Sequence, residues 1–189
     1  MQAGLNRKTA KEGVFMSQLK NTRVLTFTGM LIALAAVLSF FSIPVTSIIE
    51  IRFKFIALAF AGALFGPFIG GVVGGAADIL GYLIKPTGPF MPGFTITAIV
   101  AGVLYGLLLR KKPVTLKRVI LVSLIVTLVT GTFLNTVNLS IGYGLPFVPT
   151  LIARIPSECI MYPINTAMLW ISLKALEQVR RHAAQTVAQ

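Results

Sequence analysis

The sequence predicts an all-α, polytopic membrane fold, a bundle of six transmembrane helices with both termini in the cytoplasm. Three observations predict it. No charged residue occurs from Val24 to Ile49, Phe55 to Ala77, Pro86 to Leu109 or Val119 to Ala153, and each stretch matches or exceeds the roughly 20 residues a helix needs to cross a bilayer. The composition agrees, 56% hydrophobic against 12% charged. The basic residues gather in three places: Arg7, Lys8, Lys11, Lys20 and Arg23 before the first span, Arg110, Lys111, Lys112, Lys117 and Arg118 in one loop, and Lys174, Arg180 and Arg181 after the last. With six spans an even number of crossings separates each cluster from the next, so the positive-inside rule puts all three in the cytoplasm. The net charge of +12 is therefore a topology signal and does not call for nucleic acid; anionic lipid is a lesser, compatible partner.

One membrane domain, residues 24–176, lies between a basic cytoplasmic segment, 1–23, and a cytoplasmic tail, 177–189. The first span reads from Val24 to Phe41 and is closed on the outside by Pro44. After an external segment with Glu50, Arg52 and Lys54, the chain re-enters at Phe55 and turns at Gly66-Pro67, with proline suited to the first position of a new helix. The second span is thus short: even from Arg52 its roughly 15 residues cover about 22 Å, less than the hydrocarbon core. The third, Phe68 to Ile84, carries Gly70, Gly71, Gly74 and Gly75, which permit close helix approach.

Lys85 to Gly93 cannot be helical, with three prolines and two glycines in nine residues. It leads into the fourth span, Phe94 to Leu109. The fifth runs from Val119 to Asn138, followed by an external segment to Phe147. The sixth, Val148 to Leu176, contains Pro149, Pro156 and Pro163 and at roughly 29 residues measures about 43 Å, so a bend of its outer half over the external opening is expected.

Ionisable groups in or beside an apolar layer are costly and mark function by default. Here they all fall toward the outer side: Arg52, Lys54, Asp78, Lys85, Arg154 and Glu158, with Asn135 and Asn138 at the outer end of span five. Their convergence predicts one polar pocket facing outward. Asp78 fits either a carboxylate accepting ring N–H groups of a ligand or an ion-pair partner of Lys54 or Lys85. Arg154 and Glu158, four apart, fit an intrahelical pair or a fork for an anion. Asn135 and Asn138 fit ligand contacts or links between helices. Phe90 and Phe94 flank Met91-Pro92-Gly93 at the start of span four, where free N–H groups can receive an anion or a polar ring edge; a rigid connector with interfacial aromatics is the other reading.

Several chemistries find no motif. His182, the single histidine, lies in the tail, Cys159 is the single cysteine, and HExxH, GxxxxGK[ST] and GxSxG are absent. The five acidic residues form no intramembrane dyad. No metal, cofactor or catalytic residue is expected.

The runs Ile51-Arg52-Phe53-Lys54-Phe55-Ile56, Leu64-Phe65-Gly66-Pro67, Ala77-Asp78-Ile79-Leu80-Gly81 and above all Phe90-Met91-Pro92-Gly93-Phe94-Thr95-Ile96-Thr97-Ala98 resemble the substrate-binding S components of energy-coupling factor (ECF) vitamin transporters, the folate-specific branch most closely. The resemblance covers about residues 24–176. It implies a six-helix protein of a prokaryotic plasma membrane that captures folate or reduced folate from outside, then delivers it inward with a transmembrane coupling subunit and two ATPases. It implies that the pterin sits among Phe53, Phe90 and Phe94 with Asp78 or an asparagine as polar partner, near Pro92, Gly93 and Thr95, with Glu158 in the same polar region. Lys54, Lys85 or Arg154 would meet the glutamate carboxylates. The small pairs Gly29/Ala33 and Ala35/Ser39 in span one resemble the family's docking surface for the coupling subunit, ordinary packing being the other reading. Riboflavin, pantothenate or a pyridoxine precursor is the nearest alternative ligand; an intramembrane enzyme or an assembly subunit would belong to other classes.

Overall fold

In the computed structural model the described residues are 22–44, 50–84, 86, 90–110 and 112–187, without the side chains of 23, 42–44, 50–52 and 180–187. Lys85, the Arg52 side chain and most of the N-terminal basic segment lie outside them. Helix α1 spans Thr22–Phe40, α2 Lys54–Phe65, α3 Pro67–Ile84 and α4 Pro92–Leu109. Helix α5, Leu116–Val126, passes into a π-helical segment, Thr127–Leu134, and then α6, Asn135–Tyr143. Helix α7 runs Phe147–Val187. These make six apolar helical stretches. Pro67–Ile84, Pro92–Leu109, Leu116–Tyr143 and Phe147–Val179 are long and apolar enough to cross a membrane, while Val24–Phe40 and Lys54–Phe65 are shorter apolar helices.

The Gly66-Pro67 turn forms as expected: Gly66 has φ 102°, a left-handed conformation open to glycine, and α3 begins at Pro67. A side chain at Gly66 would also strike Arg110, whose Nη1 lies 2.5 Å from where its Cβ would be. The resulting hairpin packs backbone to backbone. A Cβ on Gly70 or Gly74 would overlap the carbonyl oxygens of Gly102 and Ala98 in α4, and one on Gly62 would lie 2.5 Å from Gly106 N. Without water to drive apolar burial, such close van der Waals contact is what joins helices in a bilayer.

Helix α1 covers α2 and α3, while α5, the π segment, α6 and α7 form a second group against α4 and α2. Ala57, Leu58, Ala77, Tyr105, Val119, Val122, Leu169 and Leu173 make the core between the groups. Large apolar side chains such as Phe27, Met30, Leu121, Leu128 and Ile171 point outward, where a bilayer is their natural solvent.

The fourth span starts at Pro92, so Pro92 and Gly93 are helical where the run from Lys85 to Gly93 was expected not to be, because proline fits the first position of a helix. Three further features differ from the sequence expectation. The external segment after α1 holds a small antiparallel hairpin, β1 Ser42–Pro44 with β2 Glu50–Arg52, in which Ile43 faces Ile51. The fifth span does not stop at Asn138 but stays helical to Tyr143, where Gly144 with φ 66° ends it. Nothing between Leu139 and Tyr143 forbids helix, and the left-handed glycine is the actual stop. Helix α7 continues through Pro156 and Pro163 and past Leu176 to Val187.

Candidate ligand-binding site at the outer helix ends

Three polar clusters occupy the outer halves of the helices. The first joins α2, α3 and α4. Lys54 opens α2, and its Nζ lies 2.6 Å from Asp78 Oδ1, one and a half turns inside the end of α3. Thr95, in the first turn of α4, donates to Asp78 Oδ2 at 3.0 Å. Of the two partners the sequence offers Asp78, Lys54 meets it and Lys85 lies outside the described residues; both carboxylate oxygens are engaged by protein groups.

The second cluster joins α4 to α6. Thr97 donates to the Gly93 carbonyl at 3.0 Å, and Asn138 Nδ2 donates to Thr97 Oγ1 at 2.9 Å. Asn138 Oδ1 presses on Gly93 so closely that no Cβ fits there. Asn138 is thus a link between helices, and the glycine of the Met91-Pro92-Gly93 run is needed to admit it. Thr97 was not singled out in the sequence as a site residue, although the second threonine of Phe94-Thr95-Ile96-Thr97 was the available signal. Asn135 is half-buried and opens α6. The exposed Phe90 ring lies 5.1 Å from that of Tyr82 at 58°, a ring contact between the end of α3 and the start of α4. Phe53 sits half-buried at the N-cap of α2, Pro92 takes the first helical position of α4, and Phe94 N–H bonds the Met91 carbonyl at 3.1 Å.

The third cluster lies deeper, between α7 and the π segment. Arg154 Nη2 donates to the Gly131 carbonyl at 3.1 Å and approaches Glu158 Oε1 at 3.3 Å. Local winding explains why Gly131 serves: the Asn135 N–H, which would bond Gly131 O in an α-helix, instead reaches Thr130 O and Thr132 O. Threonine hydroxyls reinforce the deviation, since Thr130 and Thr136 bond back to the carbonyls of Val126 and Thr132. Arg154 Nε is buried with no partner. Gly131 also makes room for Glu158, whose Oε1 would lie 3.0 Å from a Cβ there.

The two small pairs of α1 separate. Gly29 and Ala33 are exposed, and Gly29 lines an apolar groove of about 290 Å³ with Val24, Leu25, Thr28, Ile32, Phe68, Ile69 and Val72. Ala35 is fully buried, and Ser39 donates to the Ala35 carbonyl and packs against Gly81. Ala35 and Ser39 thus pack toward the bundle, about a third of a turn around α1 from Gly29 and Ala33.

These features define a helical membrane bundle with two partly buried ion pairs between or along its helices, and the comparisons give its class a name. Residues 23–174 match the family "ECF transporter, substrate-specific component". The chain belongs to that family, a transport component and not an enzyme. It is 35% identical over 161 residues to the "Folate transporter FolT" of Clostridium novyi (strain NT), covering 85% of this chain and 94% of that one. It is 27% identical over 173 residues to a protein of the same name from Leuconostoc mesenteroides, covering 88% and 92%. Among solved structures it resembles "Crystal structure of FolT bound with folic acid" with a TM-score of 0.72 at 35% identity, over 79% of this chain and 92% of that one.

Proposed function

We propose that the chain is the folate-binding subunit of an ECF-type importer in a prokaryotic plasma membrane, taking folate or reduced folate at the outer ends of α2, α3, α4, α6 and α7. The observation that carries the reading is the gathering of the partly buried ionisable side chains Lys54, Asp78, Arg154 and Glu158 there, in a chain 35% identical to a relative named as a folate transporter. The outer site is mixed in character: Phe53, Phe90 and Phe94 supply apolar faces at the starts of α2 and α4, and the polar groups lie between and below them. A flat heterocycle with a charged tail has that same division.

Delivery inward requires partners, a coupling subunit and two ATPases, because no phosphate-binding loop occurs in this chain. Exposed Gly29 and Ala33 on α1, beside the apolar groove, are the surface we assign to the coupling subunit; small residues let a partner helix approach closely. Mass spectrometry of the small molecule that copurifies with the detergent-solubilised chain tests the reading. A pterin supports it, and riboflavin or another vitamin would replace folate as the ligand.

A further inference from the structure

We propose that the inner ends of α5 and α7 form a binding site for the headgroup of an anionic phospholipid, held by Lys117 and Lys174 beside the ring of Trp170. This is the end of the bundle that the positive-inside rule puts in the cytoplasm. The inference is independent of the folate reading.

The geometry starts from one buried bond. Thr166 Oγ1 lies 2.8 Å from Ser123 Oγ, which marks the line along which α5 and α7 face each other. The two helices run in opposite directions, so moving inward means going back along α5 and onward along α7. Lys117 is six residues before Ser123, about 9 Å, and Lys174 is eight after Thr166, about 12 Å, at 1.5 Å per residue. The two lysines therefore leave their helices at nearly the same level. They also lie on outward faces. Lys117 is seven residues from exposed Leu124 and Lys174 three from exposed Ile171, spacings that return to one side of a helix. Both lysines are themselves exposed.

Trp170 is half-buried and packs against the core, as does Val114 of the loop before α5. Lys174 Nζ lies 4.7 Å from the centre of its ring. A tryptophan with a packed body beside a cation suits the headgroup level of a bilayer. Arg118 Nη1 donates to the Pro113 carbonyl at 3.3 Å, bracing the loop that carries exposed Lys112.

These cations lack anions. Among the described residues no carboxylate comes within ion-pair distance of Lys112, Lys117, Arg118 or Lys174, and Glu177, three residues beyond Lys174, forms no salt bridge with it. Exposed Leu116, Ile120 and Leu124 continue along α5 toward the bilayer centre, an apolar stripe for acyl chains. A phosphate diester at the level of the lysines, with its chains along that stripe, complements both parts. A choline headgroup would bring a cation of its own to the same place, so the preference is for a lipid of net negative charge. Helix α1, with Gly29 and Ala33, belongs to the other helix group, which leaves the surface assigned to the coupling subunit open.

Trp170 is the single tryptophan of the chain, so its fluorescence reports its own lipid neighbours. The full chain is reconstituted in phosphatidylcholine bilayers containing phosphatidylglycerol, with one of the two lipids at a time brominated in its acyl chains, and quenching gives their ratio at Trp170. Wild type should show phosphatidylglycerol enriched over its bulk fraction by at least about fivefold, the factor one lysine near a membrane surface supplies, and less so at high salt. Lys117→Gln/Lys174→Gln should bring the enrichment close to unity. Arg180→Gln/Arg181→Gln removes as much charge further along α7 and should preserve it. Equal quenching by the two brominated lipids in wild type, or enrichment unchanged in the lysine double variant, overturns the proposal. So does an equal loss in the arginine double variant, which would make the attraction a diffuse property of the whole inner surface.

Discussion

Replacing Asp78 by Asn tests whether that carboxylate holds the fold together or serves the ligand. In the structure it ties three helices, with Lys54 of α2 at 2.6 Å and Thr95 of α4 at 3.0 Å. The pair is about one-fifth exposed, 21% for Lys54 and 23% for Asp78. Exposed pairs contribute roughly 0–1 kcal/mol, and breaking a fully buried one costs about 3–5 kcal/mol. Asn keeps one oxygen for Lys54 and can donate to Thr95 Oγ1, so geometry is largely preserved and the charge is what is lost. A destabilisation of about 2 kcal/mol follows. Lys54→Met, which strands the carboxylate instead, should cost a similar amount. The double variant should cost less than the sum by about 1–2 kcal/mol, the coupling expected of groups in direct contact. Thermal or denaturant unfolding of the purified chain in detergent, without ligand, measures all four corners of the cycle. Additivity to within about 0.5 kcal/mol would refute the reasoning, as would a pair of stable single variants.

Other outcomes follow from the close approaches between helices. A Cβ at Gly70 overlaps the Gly102 carbonyl, so Gly70→Ala should force α3 and α4 apart and destabilise the chain by about 1–3 kcal/mol, read as a lowered unfolding midpoint. Gly93→Ala drives out Asn138 and should reduce both stability and folate affinity; shortening the asparagine in Gly93→Ala/Asn138→Ala should recover part of the stability, and no recovery would show that Asn138 is not the obstacle. Gly29→Trp with Ala33→Trp adds bulk to an exposed face, so folate affinity of the isolated chain should persist while ATP-dependent uptake by the reconstituted transporter fails. Equal loss of both would place these residues inside the bundle.

The helices were legible because charge is excluded from long apolar runs and because Gly66-Pro67 combines a left-handed glycine with a proline at a helix start. The gathering of polar groups on one side was legible for the same reason, since each lies near a recognisable helix end. Which groups meet was not. Lys54 lies 24 residues from Asp78 in sequence, and only the packing of α2 against α3 brings the two together. Gly29/Ala33 and Ala35/Ser39 have the same spacing, yet one pair is exposed and the other turned inward; a spacing fixes neighbours on a helix but not the face presented to the bundle. The π segment was hidden for a local reason. Its threonines and glycine are compatible with an α-helix, and the wider winding is visible only in the bond from Asn135 N–H to Thr130 O. Without it, the link from Gly131 to Arg154 could not be anticipated.

Titration of folate into the purified chain, alone in detergent or nanodiscs and without nucleotide, tests the central claim most directly. The account predicts saturable heat at one site per chain, competition by pteroate, and no dependence on ATP, because capture is a property of this subunit and energy enters only through its partners. Folate that produces no binding heat while riboflavin or another vitamin saturates the chain would contradict it.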